Sequence, residues 1–148
     1  IDYFKKHAGI DLVDIFPADV GKRDKAKVDA WTYDVFMEAA KKLHAAGFPF
    51  GGAIAETSDG MDWLGPLLLS FGSQPMDREG NITIESDGTL AGLEYLKELT
   101  QYMPKEIYGW DDASNNRWII SGKGSCISGS TRSGSTSSND SGSSSTPA

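Results

Sequence analysis

Cysteine and histidine are scarce in this chain of 148 residues, which contains one cysteine and two histidines. A single cysteine excludes a disulfide within the chain and any Cys-x-x-Cys metal or redox motif. Neither His7 nor His44 has a second histidine, glutamate or cysteine at the spacing of metal ligands. We therefore predict that the protein holds no metal and no cofactor.

Positive charge is also in short supply. Lysine and arginine together number 14 against 21 acidic residues, which leaves a net charge of −7. A surface that neutralises the phosphates of nucleic acid needs the opposite balance, so we predict that nucleic acid is not a partner. Long apolar runs are missing as well, because the strongest one, at residues 63–71, falls far short of the roughly 20 residues that span a bilayer.

The sharpest change in composition comes after Ile127. Serine, threonine and glycine supply 16 of the 21 residues in 128–148, and no apolar residue larger than alanine occurs there. Such a segment offers no burial to offset the loss of about 1 to 2 kcal/mol of backbone entropy per ordered residue. We predict one globular domain over residues 1–127 and a disordered tail over residues 128–148, which is either a linker or the product of a frameshift.

Hydrophobic periodicity predicts a mixed α/β fold for the first 127 residues. Polar caps, apolar spacing and terminating residues predict four helices, between Thr32 and Gly47, over residues 63–71, from Ser86 or Asp87 to Pro104, and from Asp112 to Ser121. Aromatic and β-branched runs predict strands at residues 48–54, 82–85 and 125–127, with a hairpin turn at 77–81. The third helix should bury a stripe formed by Leu90, Leu93, Leu96, Leu99 and Met103.

Residues 110–116 combine chemical groups that suit a sugar. Trp110 offers a flat apolar ring, Asp111 and Asp112 offer acceptors, and Asn115 offers an amide that both donates and accepts. A pyranose has an apolar C–H face that packs on an aromatic ring and a rim of hydroxyls that need such partners. Asp62 and Trp63 provide a second carboxylate beside an aromatic ring. The structural alternative is that the tryptophans belong to the core and the carboxylates cap helices, with Asp112 capping the helix to residue 121.

Several segments also resemble one protein family, in the family's own order. They are residues 31–36, 46–51, 58–65, 71–81, 93–99, 110–118 and 121–125, of which Trp-Asp-Asp-Ala-Ser-Asn-Asn-Arg-Trp at 110–118 is the most specific. Together they resemble the second lobe of the family-one extracellular solute-binding proteins, the sugar receptors of bacterial ABC importers. The resemblance covers residues 1 to about 127, and it marks the chain as an internal piece, because the family's signal peptide and first lobe have no counterpart here.

The resemblance implies most of one lobe of a two-lobed, periplasmic-binding-protein-like (type II) α/β fold. Such a receptor closes on a carbohydrate ligand and presents it to the permease subunits of the transporter, so it contacts the membrane only through the permease. The resemblance further implies a monomer that catalyses no reaction. It places the protein in the periplasm, or outside a Gram-positive cell on a lipid anchor.

The prediction is therefore non-catalytic carbohydrate binding for import. The predicted ligand contacts are Asp62, Trp63, Trp110, Asp111, Asp112 and Asn115. Two alternatives stay open: a small glycoside-acting enzyme that uses Asp111 or Asp112, and a truncated product without function. The enzyme would need two carboxylates that face each other across a bond, about 5 to 9.5 Å apart, and adjacent residues rarely provide that.

Overall fold

The computed structural model describes residues 2–128, and 57% of them are helical. Within that range strand pairing is limited to two isolated bridges, Gly51 with Ile127 and Met76 with Ile82, and there is no sheet. The predicted α/β fold is therefore wrong, and so is the predicted lobe of a type II binding protein, which is built on a sheet. The described part of the protein is mostly helical. Apart from Ser128, the predicted tail lies outside the described residues.

The predicted strands fail because strand pairing depends on neighbours that are far away in the sequence. Residues 48–54 do run parallel to residues 125–128, and Gly51 N donates to Cys126 O at 3.0 Å while Ser128 N donates to Gly51 O at 2.9 Å. Each run has this one short partner among the described residues. A pair of parallel strands without further neighbours does not extend into a regular sheet.

The helices account for most of the described chain. The α-helices are α1 Leu12–Ile15, α2 Lys25–Asp29, α3 Tyr33–Ala45, α4 Ser58–Ser70, α5 Asp87–Leu99 and α6 Ser114–Ile120. A π-helical turn spans Phe4–Ala8, and 3-10 turns span Val20–Lys22, Thr100–Tyr102 and Lys105–Gly109. None of these helices has the length and apolarity that a bilayer crossing requires.

Two of the predicted helix starts are confirmed by their caps. Thr32 Oγ1 accepts a hydrogen bond from Val35 N at 3.3 Å at the start of α3, and Ser86 Oγ accepts one from Thr89 N at 3.2 Å at the start of α5. These bonds satisfy N–H groups that have no partner within the first turn of a helix. After α3 the chain leaves through Gly47, whose φ of 85° favours glycine.

The start of α4 was predicted less well. It begins at Ser58, five residues before the predicted start at residue 63, because Thr57 Oγ1 accepts from Gly60 N at 3.1 Å and caps a polar first turn. Pro66 consequently lies inside the helix and not in its first turn. The predicted turn at residues 77–81 is confirmed by the bond from Asp77 N to Asn81 O at 3.0 Å, but the hairpin around it has a single bridge.

The core consists of two groups of buried side chains joined by α3. The larger group surrounds Leu99 and Ile107, which are fully buried, and the smaller surrounds Phe4 and Leu43. The predicted stripe on α5 is only partly buried, since Leu90 is 57% exposed and Leu93 is 48% exposed.

A close approach of α5 to the end of α4 excludes a side chain at Gly88, where the backbone is in the way, and crowds one at Gly92, where a leucine side chain would have to move. A Cβ on Gly88 would lie 2.5 Å from Phe71 O, and one on Gly92 would lie 2.8 Å from Leu68 Cδ2. Leu90 and Leu93 lie outside this contact and are therefore exposed.

Candidate functional site

A cavity of about 800 Å³ opens beside α3 and α4, and its lining is dominated by aromatic rings. The rings belong to Phe4, Phe16, Trp31, Tyr33, Phe36, Phe50 and Trp63. We call this cavity, together with its other lining residues Leu12, Thr32, Asp62, Pro66, Leu67, Leu99, Cys126 and Ile127, the aromatic cleft. Its volume falls within the range of about 300 to 1,000 Å³ that is usual for small-molecule sites.

Four rings form a continuous series along the wall of the cleft. The ring centroids of Trp31 and Phe36 are 6.3 Å apart, those of Phe36 and Phe50 are 5.2 Å apart, and those of Phe50 and Trp63 are 5.7 Å apart. All three pairs are close to perpendicular, which is a favourable arrangement of aromatic quadrupoles. The rings therefore hold one another in place before any ligand binds.

Backbone contacts fix the orientation of this wall. Trp63 Nε1 donates to Ala53 O at 2.8 Å, so the indole cannot turn without losing a half-buried hydrogen bond. Phe50 stands next to Gly51, the residue that pairs with the 125–128 segment, and that segment contributes Cys126 and Ile127 to the cleft. The cleft is thus built from parts of the chain that are distant in sequence.

The Asp62 carboxylate and the Thr32 hydroxyl lie at the exposed side of the cleft, and the lining also includes the hydroxyl-bearing side chain of half-buried Tyr33. Thr32 and Asp62 are both exposed, whereas Phe4, Phe50 and Leu67 are buried. Thr32 Oγ1 already accepts the capping bond of α3. The Asp62 carboxylate makes no hydrogen bond or ion pair with any other residue in the range 2–128.

Cys126 is the thiol of the cleft. It is half-buried, packs against both core groups, and is not part of a disulfide. Burial raises the pKa of this thiol to about 11, so it is almost entirely protonated at neutral pH. As the one cysteine in the chain, it is a position at which occupancy of the cleft can be followed chemically.

The six residues predicted to contact a sugar fall in two places. Asp62 and Trp63 lie in the aromatic cleft. Trp110 is 8% exposed and packs against Trp118 with 5.7 Å between ring centroids, next to a smaller hollow of about 230 Å³. Asp111, Asp112 and Asn115 lie near Trp110 in sequence but bind other parts of the protein.

Asp111 bonds to residues at the start of α6. Its Oδ1 accepts hydrogen bonds from Ser114 Oγ at 2.6 Å, Ala113 N at 3.1 Å and Arg117 Nη2 at 2.7 Å. The bond from Ser114, followed by that from the Arg117 guanidinium, holds the pKa of Asp111 below its ordinary value. The prediction that Asp112 caps this helix is wrong, because the N-cap residue is Ala113, no side chain caps α6, and the Asp112 carboxylate bonds to Asp59 N instead.

Asp112 and Asn115 tie the start of α6 to the start of α4. Asp112 Oδ1 accepts from Asp59 N at 3.1 Å, in the first turn of α4. Asn115 is 3% exposed, and its Nδ2 donates to the Asp59 carboxylate and to Ser128 O. We call this set of bonds, centred on Asp59, Asp111, Asp112, Asn115 and Arg117, the α6 junction. Its polar atoms are used to hold the protein together.

Most of the wall of the cleft was not recognised in the sequence. The sequence assigns Phe36 to a helix and Phe50 to a strand, Trp31 enters only through the resemblance of residues 31–36, and none of the three is a predicted ligand contact. A usable signal existed in the density of aromatic residues between positions 31 and 50, which flank the cap and the end of α3. Among residues 2–128 no three His, Cys, Asp or Glu side chains come together in a way that could hold a metal ion.

Comparison of the chain with protein-family models, with curated proteins and with solved structures finds no match. The resemblance to the family-one solute-binding proteins stays a prediction from the sequence. The structure contains a cleft with an aromatic wall and one carboxylate in its lining, and a separate junction in which Asp111, Asp112 and Asn115 are already bonded.

Proposed function

We propose that the protein binds a carbohydrate in the aromatic cleft without catalysing a reaction, as the capture component of an ABC-type importer. The observation that supports this most directly is the pairing of fixed indole and phenyl rings with the carboxylate of Asp62, which has no hydrogen-bond partner among residues 2–128. Transfer of the sugar to permease subunits, and a location outside the cytoplasmic membrane, rest on the resemblance of the sequence alone.

The chemistry of a sugar matches the two kinds of surface in the cleft. The C–H face of a pyranose packs on an aromatic ring, and Trp31 and Trp63 are held by their neighbours, so little side-chain entropy is lost on binding. A carboxylate accepts hydrogen bonds from two hydroxyls, and a hydrogen bond to a charged group contributes about 1.5 to 3 kcal/mol. Asp62 is placed to fix the orientation of the sugar at the exposed side.

Hydrolysis of a glycoside is less well supported than binding. A glycosidase needs two carboxyl groups across the bond, one of which has a raised pKa so that it can act as an acid. The lining of the cleft contains one carboxyl group, Asp62. Asp111 has a lowered pKa, and Asp112 accepts the N–H of Asp59.

Sugar binding is tested by titrating the full chain with hexoses, disaccharides and polyols while tryptophan fluorescence is recorded. We expect saturable quenching by at least one of them, matched by a heat of binding in calorimetry. Trp31→Phe should reduce the quenching, because this indole lines the cleft. Trp118→Phe is the matched control, since Trp118 lies outside the cleft lining, and it should leave the response unchanged.

Two outcomes contradict the proposal. The first is the absence of a saturable response to every sugar while circular dichroism shows a folded chain. The second is a response that survives Trp31→Phe and disappears in Trp118→Phe, which would move the binding site to the hollow beside Trp110.

A further inference from the structure

The buried side of the aromatic cleft has no polar side chain to pair with a sugar hydroxyl. Phe4, Phe50, Leu67 and Leu99 are between 0% and 4% exposed, and all four line the cleft. Cys126 adds a thiol that is protonated at neutral pH and is a weak hydrogen-bonding group. This side of the cleft therefore offers contact to apolar atoms and almost nothing to hydroxyls.

The exposed side has the opposite character. Asp62 and Thr32 are there, and the carboxylate of Asp62 has no partner within the described residues. A hydroxyl buried without a hydrogen bond is destabilising, typically by more than an apolar contact can return. A fully hydroxylated sugar that filled the whole cleft would place several hydroxyls against phenyl and leucine side chains. The polarity of the lining therefore does not fit such a ligand.

We infer that the ligand is a glycoside with an apolar aglycone, such as an aryl group, in place of a free sugar. This rests on the proposed sugar binding and specifies its substrate class. The sugar lies at the exposed side, where Asp62 accepts hydrogen bonds from its hydroxyls and Trp31 or Trp63 packs on its C–H face. The aglycone fills the buried side against Phe50, Leu67 and Cys126, where an aromatic ring pairs with aromatic walls.

The volume of the cleft agrees with this division. At about 800 Å³ it is much larger than one pyranose ring, so a monosaccharide held at Asp62 would leave the apolar side unfilled. Filling that space with an apolar group removes further apolar surface from water on both partners. The aglycone should accordingly contribute a large part of the affinity.

The test compares phenyl and methyl β-glycosides of glucose, galactose and mannose in calorimetric titrations of the full chain. For the sugar that binds, we expect the phenyl glycoside to bind at least about tenfold more tightly than the methyl glycoside. Phenol is the third arm, and without a sugar to meet Asp62 it should bind more weakly than the phenyl glycoside. Binding of the phenyl glycoside should also slow alkylation of Cys126 more than binding of the methyl glycoside does.

Two variants test where the sugar and the aglycone of the ligand bind. Asp62→Ala should weaken both glycosides by a similar factor, because both present the same sugar to the carboxylate. Cys126→Ser places a hydroxyl at the buried side with little change in volume, and should weaken the phenyl glycoside several-fold more than the methyl glycoside. The melting temperature of each variant, compared with that of the parent chain, shows whether it has folded.

The outcomes separate this inference from the proposed function. Equal affinities for the phenyl and methyl glycosides overturn the inference and leave sugar binding in place. Binding of phenol as tight as that of the phenyl glycoside, with no binding of methyl glycosides, overturns both, because the sugar then contributes nothing. A phenyl preference that is unchanged by Cys126→Ser also overturns the inference, because the aglycone then lies elsewhere.

Discussion

Two regions of this protein combine tryptophan with carboxylates and yet differ in what their polar atoms do. In the aromatic cleft, Trp63 is fixed by a bond to the backbone, and the neighbouring Asp62 carboxylate is free within the described residues. In the α6 junction, Asp111 accepts three hydrogen bonds and Asn115 is buried between Asp59 and Ser128. Residue types alone do not distinguish a binding surface from a structural junction; the satisfaction of their hydrogen bonds does.

Chemical modification gives the largest expected contrast between the regions. At pH 8 the thiolate fraction of Cys126 should be lower than that of an ordinary thiol by about a hundredfold, because its pKa is raised to about 11, and burial slows access further. We expect alkylation with iodoacetamide to be slower than in the urea-unfolded chain by at least that factor. The matched control is Ser121→Cys in a Cys126→Ser background, which places the thiol at an exposed residue beside α6.

Comparable alkylation rates for Cys126 and for the exposed Ser121→Cys thiol would contradict a buried position in the cleft. Reaction with each thiol is followed by mass spectrometry, so that the rates are compared on the same scale.

Removal of the buried amide of Asn115 should have the next largest effect, which is a loss of stability. Asn115→Ala leaves the Asp59 carboxylate and the Ser128 carbonyl without their partner, and we expect the free energy of unfolding to fall by about 1 to 3 kcal/mol. Asn116→Ala, at an exposed neighbour, should change it by less than about 0.5 kcal/mol. Urea denaturation measures both, and equal changes for the two variants would contradict the structural role of Asn115.

A pair of aspartate-to-alanine variants tests the division between the regions directly. Asp62→Ala should weaken sugar binding by about tenfold or more, the loss of one hydrogen bond to a charged group, and should hardly change stability. Asp112→Ala should lower stability by about 0.5 to 2 kcal/mol through loss of the hydrogen bond to Asp59 N in the first turn of α4, and should leave binding unchanged. Calorimetry gives the affinity of each variant for the sugar, and urea denaturation gives its free energy of unfolding. If Asp112→Ala weakened binding and Asp62→Ala lowered stability, the ligand would bind at the α6 junction and the aromatic cleft would have the structural role.

The pH dependence of stability should show the smallest effect. The folded pKa of Asp111 is lowered, so the contribution of this carboxylate is present above its unfolded value of about 4 and is lost as the pH falls through the folded pKa. We expect the difference in urea midpoint between the parent chain and Asp111→Asn to be constant above about pH 5 and to shrink below pH 4. A difference that grew on acidification would show that the folded pKa is raised.

Local features of the fold could be predicted from the sequence, and features that depend on distant contacts could not. Thr32 and Ser86 cap helices because each bond reaches only three residues along the chain. The failed strand at residues 48–54 has the apolar and aromatic composition of a strand, but its one partner lies more than 70 residues away and is short. The early start of α4 was missed because its first turn is polar and the prediction followed apolar residues.

The candidate site also has residues that could be predicted from the sequence and residues that could not. Asp62 and Trp63 were predicted to contact a sugar and do line a cleft. The only sign in the sequence of the rest of the wall, Trp31, Phe36 and Phe50, is the density of aromatic residues between positions 31 and 50. Asp112 and Asn115 could not be assigned because their partner, Asp59, is more than 50 residues away. A polar residue that binds a ligand and one that binds its own protein have the same appearance in a sequence.

The pairing of Gly51 with Ile127 also determines when the cleft can form. During synthesis the rings of α3 and α4 leave the ribosome well before residues 125–128, which supply Cys126 and Ile127 to the wall. A nascent chain that ends near residue 120 can already fold its local helices, but its cleft has one side open to water. Because the last wall must close a loop of more than 70 residues, we expect the cleft to be completed late in folding, when the segment around Ile127 docks.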